Sequence, residues 1–206
     1  MTERIQRLKA YQWDRRHHEA RRELPEGLAL PYRDAGMSDV ARVALRTKMA
    51  LDMETPYLFP GELIAFTRTV SNLPFVFGDE EWAEIRKAHY IHELGNVSNL
   101  SPGYGAVLSK GLLAIRDGLG EGGLQDAMRS SIDALLGLTA RYRDAALSAG
   151  DAELAEALGR VPALPPRTFR EALQSLRILH FAMWCEGDYH NTLGRFDQYM
   201  FPYLRA

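Results

Sequence analysis

Pro165-Pro166-Arg167-Thr168-Phe169-Arg170-Glu171-Ala172-Leu173-Gln174 and, twenty residues later, Gly194-Arg195-Phe196-Asp197-Gln198-Tyr199-Met200-Phe201-Pro202-Tyr203 decide how this chain is read. The paired prolines stop whatever precedes them. Thr168 with Glu171 three positions on is a capping box, in which each side chain satisfies a free backbone N–H of the other's turn. Phe169, Ala172, Leu173, Leu176, Leu179, His180 and Met183 then recur at helical spacing and form one broad apolar face. Periodicity explains this helix. It does not explain the Gly-Arg-Phe-Asp-Gln-Tyr turn into which the helix runs.

Working backwards, most of the chain reads as helix. Glu3 to Glu23 is polar and rich in helix formers, ending before Pro25 and Gly27. Ser38 is an N-cap for a helix carrying Val40, Val43, Ala44, Thr47 and Leu51 on one side. Pro56 and Pro60 break it, and Gly61 to Val70, β-branched and aromatic between turn residues, reads as a strand. Gly78-Asp79 starts a helix with Trp82, Ile85 and His89 on one face. Pro102 opens another through Val107, Leu108, Gly111, Leu112 and Ile115, which the cluster Gly118, Gly120, Gly122 and Gly123 ends. Leu124 to about Ala149 is a long helix, and Ala152 to Leu158 continues after Gly150. No repeat or linker divides the chain, so a single mostly helical unit is expected.

Composition excludes several functions. A net charge of −2 argues against nucleic acid as the main partner, which needs a concentrated basic surface. The run Arg15-Arg16-His17-His18-Glu19-Ala20-Arg21-Arg22 is the local exception, and its interspersed glutamates read as a solvated helix face rather than an anion site. Cys185 is the only cysteine, so no internal disulfide forms and a reducing compartment fits. There is no long apolar run and no secretory h-region after Met1, so a cytoplasmic protein without membrane partners is expected.

Three blocks carry a resemblance. They are Pro60-Gly61-Glu62-Leu63-Ile64, then Ser101-Pro102-Gly103-Tyr104 with Val107-Leu108 and Gly111-Leu112, and finally Val161 through Tyr203. In this order and spacing the chain resembles the N-terminal part of a glycyl radical enzyme with a pyruvate formate-lyase-like domain, in the branch of glycerol and diol dehydratases and choline lyases. The resemblance implies a mainly α fold with a few β-strands, forming a partial α/β barrel. Ten strands in two halves would close the barrel only in a longer enzyme. Residues 1–206 would be one portion of that domain, without its thiyl-cysteine loop and its glycyl radical loop. An incomplete barrel exposes strand edges, so a poorly stable or aggregating fragment is expected.

The same resemblance assigns candidate site residues. The family's Gly-His-Ser-x-Ser-Pro-Gly-Arg loop aligns on Gly194-Arg195, placing Thr192 and His190 on its two serines and Tyr189 on its histidine. A hydroxyl or imidazole there can hold a substrate hydroxyl, amine or carboxylate. Asn99 takes the place of a substrate-contacting histidine five residues before the shared Tyr104; an amide can hydrogen-bond but is no general base. Gly194, Arg195 and Asp197 read as a structural motif at the start of a strand. Cys185, at the end of an apolar helix, reads as a buried structural thiol, because the family's thiyl cysteine lies well downstream. His89, His92 and Glu93 have metal-compatible spacing but no second ligand cluster, so no metal is expected. The glycines at 118–123 follow a helix and carry no phosphate-loop Lys-Ser/Thr.

Functionally, the resemblance implies a dehydratase or lyase that removes water or another leaving group from a small polar metabolite. In such an enzyme a stored glycyl radical oxidises a cysteine to a thiyl, which abstracts a substrate hydrogen. A separate radical S-adenosylmethionine activase installs that radical, and relatives are homodimers. This chain by itself would hold no cofactor and no catalytic residue. Two alternatives remain: a formate C-acetyltransferase working through an acyl-cysteine, and a non-catalytic helical interaction protein. Packing of Gly194 to Tyr203 back onto the chain's own helices in a closed core would count against the barrel and the family together.

Overall fold

The computed structural model describes residues 1–73, 75–87, 100–187 and 190–205. Its helices are α1 (Glu3–Trp13), α2 (Asp39–Met53), α3 (Asp79–Lys87), α4 (Tyr104–Asp117), α5 (Gly123–Ser148), α6 (Ala152–Arg160), α7 (Phe169–Cys185) and α8 (Phe196–Leu204), with 3-10 turns at Arg16–His18 and Leu30–Arg33. The caps read from sequence are in place. Ser38 Oγ accepts from Ala41 N at 3.3 Å, and Thr168 Oγ1 accepts from Glu171 N at 3.2 Å. The reciprocal half of the second box lands one residue early, because Glu171 accepts from Arg167 N at 2.5 Å while also pairing with the Arg167 guanidinium. The helix expected over residues 3–23 ends at Trp13. Arg15 turns left-handed there, and Tyr11 stacks on Phe59 with ring centroids 3.5 Å apart.

α5 packs along α2 and α6, and α7 crosses against α2, α4 and α6. Their apolar faces enclose one core containing Leu51, Leu138, Tyr142, Leu154, Ile178 and Phe181, all nearly or fully buried. Burying each aliphatic side chain of this kind contributes about 1.5–3 kcal/mol. A second cluster joins Leu108 of α4, Ala172 of α7 and Met200 of α8. The α2 C-terminus is closed from outside by Arg141, whose guanidinium donates to the carbonyls of Leu51, Asp52 and Glu54 at 2.6–3.0 Å.

The expected strands and partial barrel are not formed. Among the described residues there is no strand, only an isolated bridge between Arg22 and Val70. Residues 61–70 run as irregular chain, with left-handed φ at Gly61 and Phe66, and no neighbouring strand meets them. Helix side chains take over the pairing instead. Gln174 accepts from Ala65 N at 2.9 Å and donates to Ala65 O at 3.4 Å. Tyr142 Oη donates to Thr67 O at 3.0 Å and accepts from Thr67 N at 3.2 Å. Buried Glu54 accepts from Thr69 N and Thr69 Oγ1, both at 2.6 Å. Buried backbone groups need partners, and here the partners are side chains rather than a ladder. The open strand edges expected of a partial barrel therefore do not arise among the described residues.

Residues 194–203 differ from expectation in the same way. Instead of starting a strand, they form α8, which packs back onto α4 and α7, with Tyr203 Oη donating to Leu108 O at 3.0 Å. In α4 the backbone breaks at Gly111 (φ 75°, ψ 156°), freeing Leu112 N and Leu113 N to donate to Pro162 O and Ala163 O at 2.8 and 3.1 Å. Only glycine fits there: a Cβ would lie 2.5 Å from Ala163 O. This junction ties the second resemblance block to the third.

Candidate functional site

The loop after α7 is positioned from both ends. At its start, Glu186 caps α7 and pairs with Arg46 of α2 at 2.5 Å, with both side chains largely buried. At its far end, Thr192 N donates to Leu100 O at 2.9 Å, and Tyr199 Oη of α8 donates to Leu193 O at 2.7 Å. Gly194 adopts a left-handed φ of 58°, and a Cβ there would meet Ser101 Oγ at 2.8 Å. The 190–195 segment is thus laid directly on the chain that leads into α4.

Two of the residues expected to face substrate, His190 and Thr192, stand on this loop with exposed side chains. Asn99 lies outside the described residues, as do Tyr189, His89, His92 and Glu93. Leu100, which follows Asn99 in the chain, accepts the Thr192 hydrogen bond. The loop carrying His190 and Thr192 is therefore tied to the residue that follows the second candidate position, which itself lies outside the described residues. Arg195 and Asp197 form a bidentate pair at 2.8 and 3.0 Å on the first turn of α8. Hydrogen bonding to Arg195 holds the Asp197 carboxyl below its ordinary value, and both side chains are exposed. The pair braces a helix start rather than a strand.

Cys185 is fully buried, with Sγ 3.8 Å from Glu54 Oε1. Burial, reinforced by the Glu54 carboxylate, pushes its thiol well above the usual range. A thiol so enclosed fits neither a thiyl-forming cysteine nor an acyl carrier. The glycine-rich turn at 118–123 has its Leu119 and Gly120 carbonyls occupied by Arg129 at 2.6 and 2.5 Å, with no arrangement for phosphate. Among the described residues, no group of three or more His, Cys, Asp and Glu is placed to hold a metal, and no helix is long and apolar enough to cross a membrane.

A cleft of about 520 Å³ between α2 and α5 is lined by Val40, Val43, Leu124, Met128 and Ile132. Its hydroxyls, Thr47 and Ser131, donate to carbonyls of their own helices, so it offers little chemistry. Sequence reasoning missed the tethers of the 190–195 loop. Tyr199 carried a faint signal as an aromatic just after the Gly-Arg turn; the Leu100 carbonyl carried none.

The sequence profile described as pyruvate formate lyase-like matches residues 66–206. The chain belongs to that family. Back-packing of α8 onto α4 and α7 goes with the absence of the barrel, but the linked expectation that the family falls with it is corrected by the profile match. Solved glycyl radical enzymes share its fold. A Roseburia inulinivorans protein of 1,2-propanediol dehydration is 18% identical with a TM-score of 0.76, covering 100% of this chain and 36% of its own. The B12-independent glycerol dehydratase of Clostridium butyricum is 19% identical with a TM-score of 0.71, covering 98% and 36%. Hydroxyproline dehydratase of Clostridioides difficile is 18% identical with a TM-score of 0.65, covering 100% and 37%. The chain thus spans about a third of the length of these relatives. No curated protein matches it.

Proposed function

We propose that this chain serves a glycyl radical dehydratase or lyase acting on a small polar metabolite, as scaffold and as one wall of the substrate pocket. The observation that supports the reading is the hydrogen bond from Thr192 N to Leu100 O, which ties the loop proposed to bind substrate to the stretch leading into α4. The similar solved structures suggest the substrate class, since they concern dehydration of 1,2-propanediol, glycerol and hydroxyproline.

In such an enzyme a glycyl radical, installed by a radical S-adenosylmethionine activase, supplies hydrogen-atom abstraction. The residues of this chain do not fit that part, since its single thiol is sealed against Glu54. Their role is binding and orientation. The Thr192 hydroxyl can donate to and accept from a substrate hydroxyl, and the His190 imidazole can hold a second polar group beside it. The Tyr199 and Leu100 tethers limit the freedom of that loop, so less ordering is needed when substrate binds. Residues 1–206 would then act with the remainder of a homodimeric cytoplasmic enzyme.

The test replaces Thr192→Val and His190→Ala in the radical-loaded enzyme. Turnover of diol-type substrates should fall by about tenfold or more, corresponding to a lost hydrogen bond of about 1.4 kcal/mol. The glycyl radical signal in electron paramagnetic resonance should be unchanged. Unaltered turnover in both variants removes these residues from the site.

A further inference from the structure

The cleft between α2 and α5 continues beyond its exposed wall. A second chamber of about 340 Å³ shares Val43, Thr47, Ser131 and Ile132 with it and reaches Glu186 at the end of α7. Exposed Val40 and Leu124 line the first chamber, whereas Leu51 and Leu135 of the second belong to the buried core. The two make one apolar channel, running from the N-termini of α2 and α5 to a carboxyl group.

The polar side chains of this channel are all acceptors. Thr47 Oγ1 and Ser131 Oγ commit their protons to Val43 O and Ala127 O, at 3.1 and 3.0 Å, which leaves them lone pairs only. Glu186 Oε2 accepts from Arg46 Nη2 at 2.5 Å, but Glu186 Oε1 is buried and accepts from no group among the described residues. A buried carboxylate oxygen without a donor is costly. The charged residues lining the channel are both acids, Glu186 and the mostly exposed Asp39, which lies 3.9 Å from Arg42. The C-terminus of α7, the negative end of its dipole, also falls at Glu186.

We propose that this channel binds an apolar primary amine, with its ammonium group on Glu186 Oε1 and its hydrocarbon body between α2 and α5. An ammonium brings N–H donors and positive charge to a lining of acceptors and acids. Its chain takes the exposed Val40 and Leu124 side chains out of water. A carboxylate ligand would bring only further acceptors and negative charge, and an alcohol a single donor without charge. The site makes and breaks no bond, and it is separate from the loop proposed to hold substrate.

Calorimetric titration of the 206-residue chain at about pH 7 with n-hexylamine, 1-hexanol and hexanoate tests this. Hexylamine should bind saturably and roughly tenfold or more tighter than the other two, as a charge-assisted hydrogen bond requires. Ser131→Leu removes one acceptor and fills the space where the chambers join, so it should weaken hexylamine by about tenfold or more. Glu186→Gln should weaken hexylamine by a similar factor and leave 1-hexanol unchanged. Because Glu186 also holds Arg46, a circular dichroism melt accompanies that variant, and Ser131→Leu decides the matter if Glu186→Gln does not fold. Hexylamine that does not saturate the protein, or binds Ser131→Leu undiminished, overturns the proposal. So does hexanoate of equal affinity. Equal affinity for 1-hexanol also overturns it, by showing an apolar face suited to another protein segment rather than an amine site.

Discussion

Tyr142→Phe isolates the feature that replaces a β-ladder in this fold. Tyr142 is fully buried and stacks on Phe66, and its hydroxyl makes both hydrogen bonds available to the Thr67 backbone, at 3.0 and 3.2 Å. Burial keeps the phenol protonated by pushing it far above its ordinary value, so it remains a donor at every accessible pH. Phenylalanine preserves the ring and the stack and deletes only the oxygen. Thr67 N–H and C=O then lose their partners together. One unsatisfied buried group costs about 1–3 kcal/mol, and partial access of water to half-buried Thr67 keeps two from adding fully. The expected loss is about 2–3 kcal/mol, or roughly 4–12 °C in Tm for a chain of this size. Urea and thermal melts followed by circular dichroism measure it. Tyr203→Phe is the matched control: it removes one bond, to Leu108 O at 3.0 Å, from a less buried site and should cost about 1 kcal/mol or less. A Tyr142→Phe loss no greater than that of Tyr203→Phe would refute the idea that side chains satisfy the backbone of this segment.

Other outcomes follow from the same structure. Gly111→Ala places a Cβ 2.5 Å from the Ala163 carbonyl at a φ of 75°, so a loss above about 3 kcal/mol, or failure to fold, is expected in a urea melt. Cys185 should resist a thiol reagent such as Ellman's reagent in the native protein and react at once in denaturant; rapid native labelling would show that its burial is wrong. For Glu62 the folded carboxyl lies at about 7 against 4.5 unfolded, so its contribution to stability is complete below about pH 4.5 and is lost as pH rises through 7. Because the group keeps some contact with water, the loss should stay below about 3 kcal/mol, and Glu62→Gln should flatten that part of the stability profile.

Much of the local structure was legible in the sequence. The Thr168 and Ser38 caps, the glycine stop after α4 and the apolar stripe of α5 each depend on residues within a turn or two of one another. The structural reading of Cys185 also held, since a thiol at the end of an apolar helix is buried by its own neighbours. Of the candidate site, the loop and its approximate residues could be named, but not what fixes them. The tethers are a backbone carbonyl at Leu100 and a tyrosine on a helix that read as the start of a strand.

The amino-acid order alone placed helices α2 and α4 to α7 to within a few residues, and through three spaced blocks it determined the family. Only the tertiary structure decided the state of residues 61–70. A strand forms only when another backbone lies beside the chain, and here Gln174, Tyr142 and Glu54, distant in sequence, occupy that place. It likewise decided that residues 196–204 coil into α8 and that Thr192 meets Leu100. Periodicity and capping act over a few residues, whereas the partner of a buried polar group is set by whichever element the packed core brings against it.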